Sequence, residues 1–340
     1  MNSFWPTLWF LLVGALFSGY AILDGFDLGV GALHLFVKTD KERRLLLNSI
    51  GPIWDGNEVW LVTGGGALFA AFPEAYATVF SGFYLAFMLL LVALIFRAVA
   101  IEFRSKQPMR WWRDFWDASF SVSSIASSLL IGIALGNMAW GIPLSADHEY
   151  AGDFLGLLRP YPLLLGLTTL SLFMMHGSIY LVLKTEGALQ KKLKGWVKHA
   201  MILFILCYVI ATFATLLFVP HMLATIQKVP VLFAVPVLSV LAIANIPRNV
   251  SQGHGFGAFL SSCAALLTLM ALFGIGMYPA LVYSNPSPEN SLTVLNACSS
   301  EKTLRIMTVI AAIGMPLVLS YTASIYWIFR GKVKLDAHSY

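Results

Sequence analysis

Apolar runs of about 20 residues, the length that crosses a bilayer core, recur nine times along the chain. They fall at about 7–35, 53–72, 76–103, 116–138, 160–183, 199–219, 230–246, 257–283 and 303–329, separated by short loops rich in proline, glycine or charge. The pattern predicts an all-α polytopic membrane protein with about nine transmembrane helices in one integral membrane domain. The run at 230–246, which contains Pro236, is the shortest. Two sets of four runs, about 7–138 and 160–283, followed by a last one at 303–329 suggest a duplicated bundle, although no residue-level repeat is visible. Composition agrees: 58% of the 340 residues are hydrophobic and 11% charged, against about 25% charged in soluble domains, and the mean hydropathy is +0.77. Met1 to Pro6 carries no positive charge, and no small-residue cleavage site precedes Asp24. The first run is therefore read as a retained span rather than a leader.

Charge adds an orientation. Of the 22 lysines and arginines, 17 lie after the first, third, fifth and seventh runs or in the C-terminal tail. Four lie on the opposite side (Arg159, Lys228, Lys302 and Arg305), and one, Arg97, lies inside the third run. Because basic loops collect in the cytoplasm, this places the N-terminus outside and the C-terminus in the cytoplasm, which requires an odd number of spans. The same loops explain the net charge of +5, so nucleic-acid binding is excluded. Cys207, Cys263 and Cys298 form no CxxC spacing, which gives no support to a zinc or iron–sulfur site. Trp111, Trp112, Trp116, Trp140, Trp196 and Trp327 sit at expected span ends as an interfacial belt. The lysine-rich loop over 184–198 carries the positive-inside signal and offers a surface to anionic lipid.

Against this apolar background two stretches stand out. Gly51-Pro52-Ile53-Trp54-Asp55-Gly56-Asn57-Glu58-Val59-Trp60 brings two carboxylates and an amide into the start of the second run, and Leu23-Asp24-Gly25-Phe26-Asp27-Leu28-Gly29-Val30-Gly31 puts two aspartates near the end of the first. Ionisable groups inside a membrane are costly and read as functional. With the first helix running inward and the second outward, Asp24, Asp27 and Asp55 all fall in the cytoplasmic half, where they could share one site. Asp24 and Asp27, three apart, share a helical face. Gly25 and Gly29, continued by Gly31, let a neighbouring helix approach closely.

Arg97 needs a carboxylate, for which Asp24, Asp27 and Asp55 are the candidates, since a guanidinium cannot shed its charge. Glu102 and Asp117 lie nearer the boundary and are expected to need no partner. Asp55 admits two readings, a proton inlet at the cytoplasmic mouth or an N-cap after Pro52. Glu58, one turn on, and Asn57 extend a row suited to proton transfer or, equally, a polar face buried against another subunit. His176 is the one histidine inside a span. With no second histidine in the interior of another span to complete a pair, it is read as a hydrogen-bonded core or interface histidine rather than a haem ligand.

The stretches LDGFDLGVG, GPIWDGNEVWL, GGGALFAAFPEAYATVFSGFYLAF, FRAVAIEFRSK, HGSIYLVLKTEG and YTASIYWIFRGKV resemble subunit II of the cytochrome bd-type quinol oxidases. The resemblance implies nine helices arranged as two four-helix bundles plus one peripheral helix, in the bacterial cytoplasmic (inner) membrane. It implies a partnership with subunit I, which carries the haems b and d and the quinol-oxidising loop, in a complex that reduces dioxygen to water. It further implies that Trp54 and Asp55 line a polar route from the cytoplasmic side; a proton-carrying role for Glu58 is not implied, because some relatives have glutamine there. A structural quinone and small single-helix subunits occur in some relatives. No catalytic residue is expected in this chain. The competing reading is a proton-coupled secondary transporter, which would act alone, and a third is a purely structural membrane subunit.

Overall fold

A computed structural model describes residues 3–335. Met1 and Asn2, on which part of the N-terminal reading rests, lie outside the described residues. The chain is built almost wholly from helices: α1 (Phe4–Leu33), α2 (Asp40–Ile50), α3 (Trp54–Ala71), α4 (Pro73–Gly82), α5 (Tyr84–Phe103), α6 (Arg110–Trp140), α7 (Pro160–Lys184), α8 (Gly187–Phe218), α9 (Ala224–Lys228), α10 (Ala234–Ser251), α11 (Gly255–Met277) and α12 (Glu301–Ile328). Among the described residues, eight helical segments are long and apolar enough to cross a membrane. The expected second run is α3. Its 18 residues reach about 27 Å, but its glycines and the polar Asp55, Asn57 and Glu58 leave it less apolar than the eight.

Several boundaries move for identifiable reasons. The third run begins at Tyr84, because the backbone breaks at Phe72, before Pro73, and again at Phe83, leaving α4 as a separate short helix. The lysine-rich segment expected as a loop is helical from Gly187, which starts α8 at φ +64°. The eighth run ends at Met277, six residues early. The chain then forms β1 (Ala280–Val282), paired antiparallel with β2 (Leu292–Thr293). Between the first two runs, α2 was not expected, yet its capping box is legible: Thr39 accepts from the Glu42 amide and the Glu42 side chain returns to the Thr39 amide.

The interior is organised on α1 and α7. α1 packs against α3, α6, α7, α11 and α12, and the most apolar window of α7 is 72% buried whereas that of α12 is 0% buried, so α12 lies at the periphery. Glycines set the approach. A methyl on Gly29 would come within 1.9 Å of the Phe173 carbonyl oxygen, and Gly177 faces the same point from α7. Gly31 faces Ser124 of α6, Gly25 faces the Phe173 ring, and Gly132 on α6 lies against Gly166 on α7. At the end opposite the basic loops, Ile142 bridges Ser284, and the Ser299 amide donates to the Ala71 carbonyl at 2.9 Å, tying the loops together.

Candidate functional site

Asp24, on the buried face of α1, meets Arg97 from the last two turns of α5. Nη1 donates to Asp24 Oδ2 at 2.7 Å and Nη2 donates to the other carboxylate oxygen, and both side chains are fully enclosed. The fork matches the carboxylate edge to edge, so charge and geometry are satisfied together. One turn further along α1, Asp27 accepts from Asn57 Nδ2 at 2.7 Å. The same amide donates to the Leu23 carbonyl at 3.2 Å, and Asn57 Oδ1 accepts from the Tyr326 hydroxyl at 2.8 Å. Asn57 thereby joins α1, α3 and α12. Three buried atoms facing this region, Asp27 Oδ1, the Tyr20 hydroxyl and Arg97 Nε, have no hydrogen-bond partner among the described residues.

Asp24 and Asp27 therefore occupy one site, while Asp55 sits at its margin. Asp55 is exposed in the first turn of α3, whose N-cap is Ile53, and no side chain caps this end. An acid there suits the helix dipole, but it is not the cap that the sequence allowed. Glu58 is half-buried and lies within electrostatic reach of Asp55, Asp24 and Arg97. Trp54, 9% exposed, packs into the core beside it. Burial thus increases in order from Asp55 through Glu58 to Asp24 and Asp27.

A second charged cluster was missed. Asp117, expected to be unpartnered at the boundary, is fully buried and accepts from Arg104 Nε at 2.5 Å, Arg43 Nη1 at 2.8 Å and Arg104 Nη2 at 3.1 Å. His34 Nε2 lies 2.5 Å from the same carboxylate. Arg104 also donates to Asp40. The ends of α1 and α5 are thereby locked to α2 and α6 at the basic end. The signal was the density of charge over 102–117, which a reading by single residues dispersed. Glu102 is likewise engaged within the chain, and Arg97 is not the only buried guanidinium, since Arg104 is 2% exposed.

His176 is engaged on both ring nitrogens. Nε2 donates to the Ile22 carbonyl at 2.9 Å, Nδ1 lies 2.7 Å from Ser262 Oγ, and the ring stacks on Phe259. Among the described residues, no three His, Cys, Asp or Glu side chains converge as a metal site.

These features define a multi-pass helical membrane protein with a buried acid–arginine–amide site. The family model for cytochrome bd terminal oxidase subunit II matches residues 5–329, and the chain belongs to that family. It is 35% identical to the cytochrome bd-I ubiquinol oxidase subunit 2 of Escherichia coli, over 96% of this chain and 94% of that protein. It is 34% identical to the cytochrome bd ubiquinol oxidase subunit 2 of Bacillus subtilis, over 96% of each. The fold matches a chain in the structure of the bd oxidase from Geobacillus thermodenitrificans with a TM-score of 0.79, covering 96% of this chain and 98% of that one at 17% identity.

Proposed function

We propose that this chain is the haem-free partner of the haem-bearing subunit of a bd-type quinol oxidase, and that it carries part of the route by which protons leave the cytoplasm for dioxygen reduction. In this reading the haems b and d and the quinol site belong to the partner subunit, and the complex lies in the cytoplasmic membrane with the basic end inside. The membership of the family supports the complex. The observation that carries the route is the graded burial of Asp55, Glu58 and the Asp24–Arg97–Asp27 group.

Each residue has a distinct part. Asp55, exposed and without a hydrogen bond from its side chain to any described residue, is free to exchange protons with cytoplasmic water. Glu58 stands one helical turn inward and hands on what Asp55 receives. The charge of Asp24 is matched by Arg97, so this pair supplies a fixed field along the route, whereas Asp27 is held by a neutral amide. Trp54 walls off the path with its indole. The four spans up to Trp140 and the next four are taken as two bundles with α12 outside them, joined to one another through the packing of α1 and α6 on α7.

The test is Asp55→Asn in the complex purified with its partner. The variant should retain normal haem content and lose most of its quinol-driven oxygen consumption. Unchanged turnover would leave Asp55 as a first-turn acid with no part in proton delivery. Reduced-minus-oxidised spectra on the same sample, before and after the subunits are separated, check that the haems stay with the partner.

A further inference from the structure

At the basic end of the bundle, where α7 stops, α8 begins and the α10–α11 turn passes over them, lies a cavity of about 230 Å³. Its walls are apolar, from Ile179, Val182, Leu183, Val250 and Phe256, and two lysines, Lys194 and Lys332, reach its lining with no carboxylate among the lining residues. Lys332 is held in place: its ammonium donates to the Leu183 carbonyl at 2.8 Å and to the Val182 carbonyl at 3.4 Å. An ammonium has three donors, so one remains for a ligand. Lys194 is exposed, and its ammonium makes no hydrogen bond or ion pair with any described residue. On the other side of the first turn of α11, an open groove of about 870 Å³ runs up the membrane-facing surface past Leu238, Leu241, Leu260 and Ala264, with Arg248 at its basic end.

We propose that this cavity binds the head group of an anionic glycerophospholipid, its phosphate between Lys194 and Lys332 and its acyl chains on the apolar surface of α10 and α11. Three features select this occupant. The cavity sits at the ends of spans, the depth at which lipid phosphates lie, and on the side enriched in lysine and arginine. A soluble anion would need few apolar walls, whereas here most of the lining is hydrocarbon. A neutral lipid would leave two ammonium groups without an ion-pair partner, since no carboxylate lines the cavity and Glu186 acts on Lys332 only from outside it. The inference does not depend on the proton route.

The measurement is native mass spectrometry of the complex purified with its partner in mild detergent, together with its thermal unfolding after addition of phosphatidylglycerol, phosphatidylcholine or inorganic phosphate. Wild-type complex should retain phosphatidylglycerol and be stabilised by it, more than by phosphatidylcholine, and not by inorganic phosphate. Lys194→Gln should weaken retention about fivefold, the worth of one basic residue beside an anionic head group. Lys198→Gln, exposed on the same helix and outside the cavity, should not. Lys332→Gln should weaken it further, but it also frees the end of α7, so Lys194→Gln is the deciding variant. Equal retention by wild type and Lys194→Gln overturns the proposal. So does equal stabilisation by phosphatidylcholine, and stabilisation by inorganic phosphate alone overturns it in favour of a free anion.

Discussion

Arg97 and Asp24, 73 residues apart in sequence, meet as a two-pronged ion pair with no exposure on either side chain. Removing one member strands the other out of reach of water, and loss of Asp24 leaves Arg97 with only the carboxylates of Asp27 and Glu58, neither bonded to it, in its field. Asp24→Asn or Arg97→Gln should therefore each destabilise the chain by about 3–5 kcal/mol, while a double change to apolar residues of similar volume, Asp24→Leu with Arg97→Met, should recover most of the loss. Thermal unfolding of the purified complex reads both. A double variant as unstable as the sum of the single ones would show that the pair is wired to further groups.

Tyr326 ties the C-terminal half of the peripheral α12 to the site through Asn57. Tyr326→Phe should cost about 1 kcal/mol, the net worth of one hydrogen bond. Asn57→Leu should cost more, because it also leaves Asp27 without its donor. A double-mutant cycle on the two positions should give a coupling above about 0.5 kcal/mol, and a coupling near zero would mean that α12 is held by its other contacts, among them the Trp9 indole on Leu304 and Thr308.

Glycines at two places on α1 should respond in opposite ways. Gly29→Ala drives a methyl into the Phe173 backbone, where the near atom is a carbonyl on a packed helix and cannot step aside. The cost should be at least the roughly 1–3 kcal/mol of overpacking. Gly14, with nothing within 4 Å of such a methyl, should accept alanine with no loss or a gain of up to about 1 kcal/mol from helix propensity. Assembly yield and unfolding temperature of the two variants give the comparison.

The basic-end cluster offers a contrast in burial at nearly adjacent positions. Asp117 is fully enclosed among His34, Arg43 and Arg104, whereas the side chain of Asp114 is 54% exposed and shares Arg43 at 3.2 Å. Asp117→Asn should lower the yield of assembled complex severely, because two guanidinium groups lose their shared counter-charge. Asp114→Asn should cost no more than about 1 kcal/mol, as exposed pairs do. Equal effects would mean that the cluster is open to solvent in the assembled complex.

Much of this was legible along the chain because a bilayer imposes a one-dimensional rule. A crossing helix needs a fixed length of apolar residues whatever surrounds it, so the runs, their order and the lysine and arginine asymmetry could be read directly. Carboxylates placed inside such runs were conspicuous for the same reason, and Asp24, Asp27 and Arg97 were found by it. The short-range signals were readable too, as the Thr39–Glu42 capping box shows, although its two residues are hard to single out among charged neighbours.

What the sequence determined, then, was which residues lie in spans, which of those are polar, and which family the chain resembles, since each depends on local composition or on motifs a few residues long. Which carboxylate takes Arg97, why Asp27 goes to Asn57 instead, how Asp117 gathers His34, Arg43 and Arg104, and that Lys194 and Lys332 reach one cavity were decided only by tertiary structure. Those pairings depend on the rotation of each helix about its own axis and on how closely glycines such as Gly29 and Gly177 allow neighbours to approach. A difference of one residue in helix phase turns a side chain by about 100°, and spacing within a single segment does not fix the phase of one helix against another.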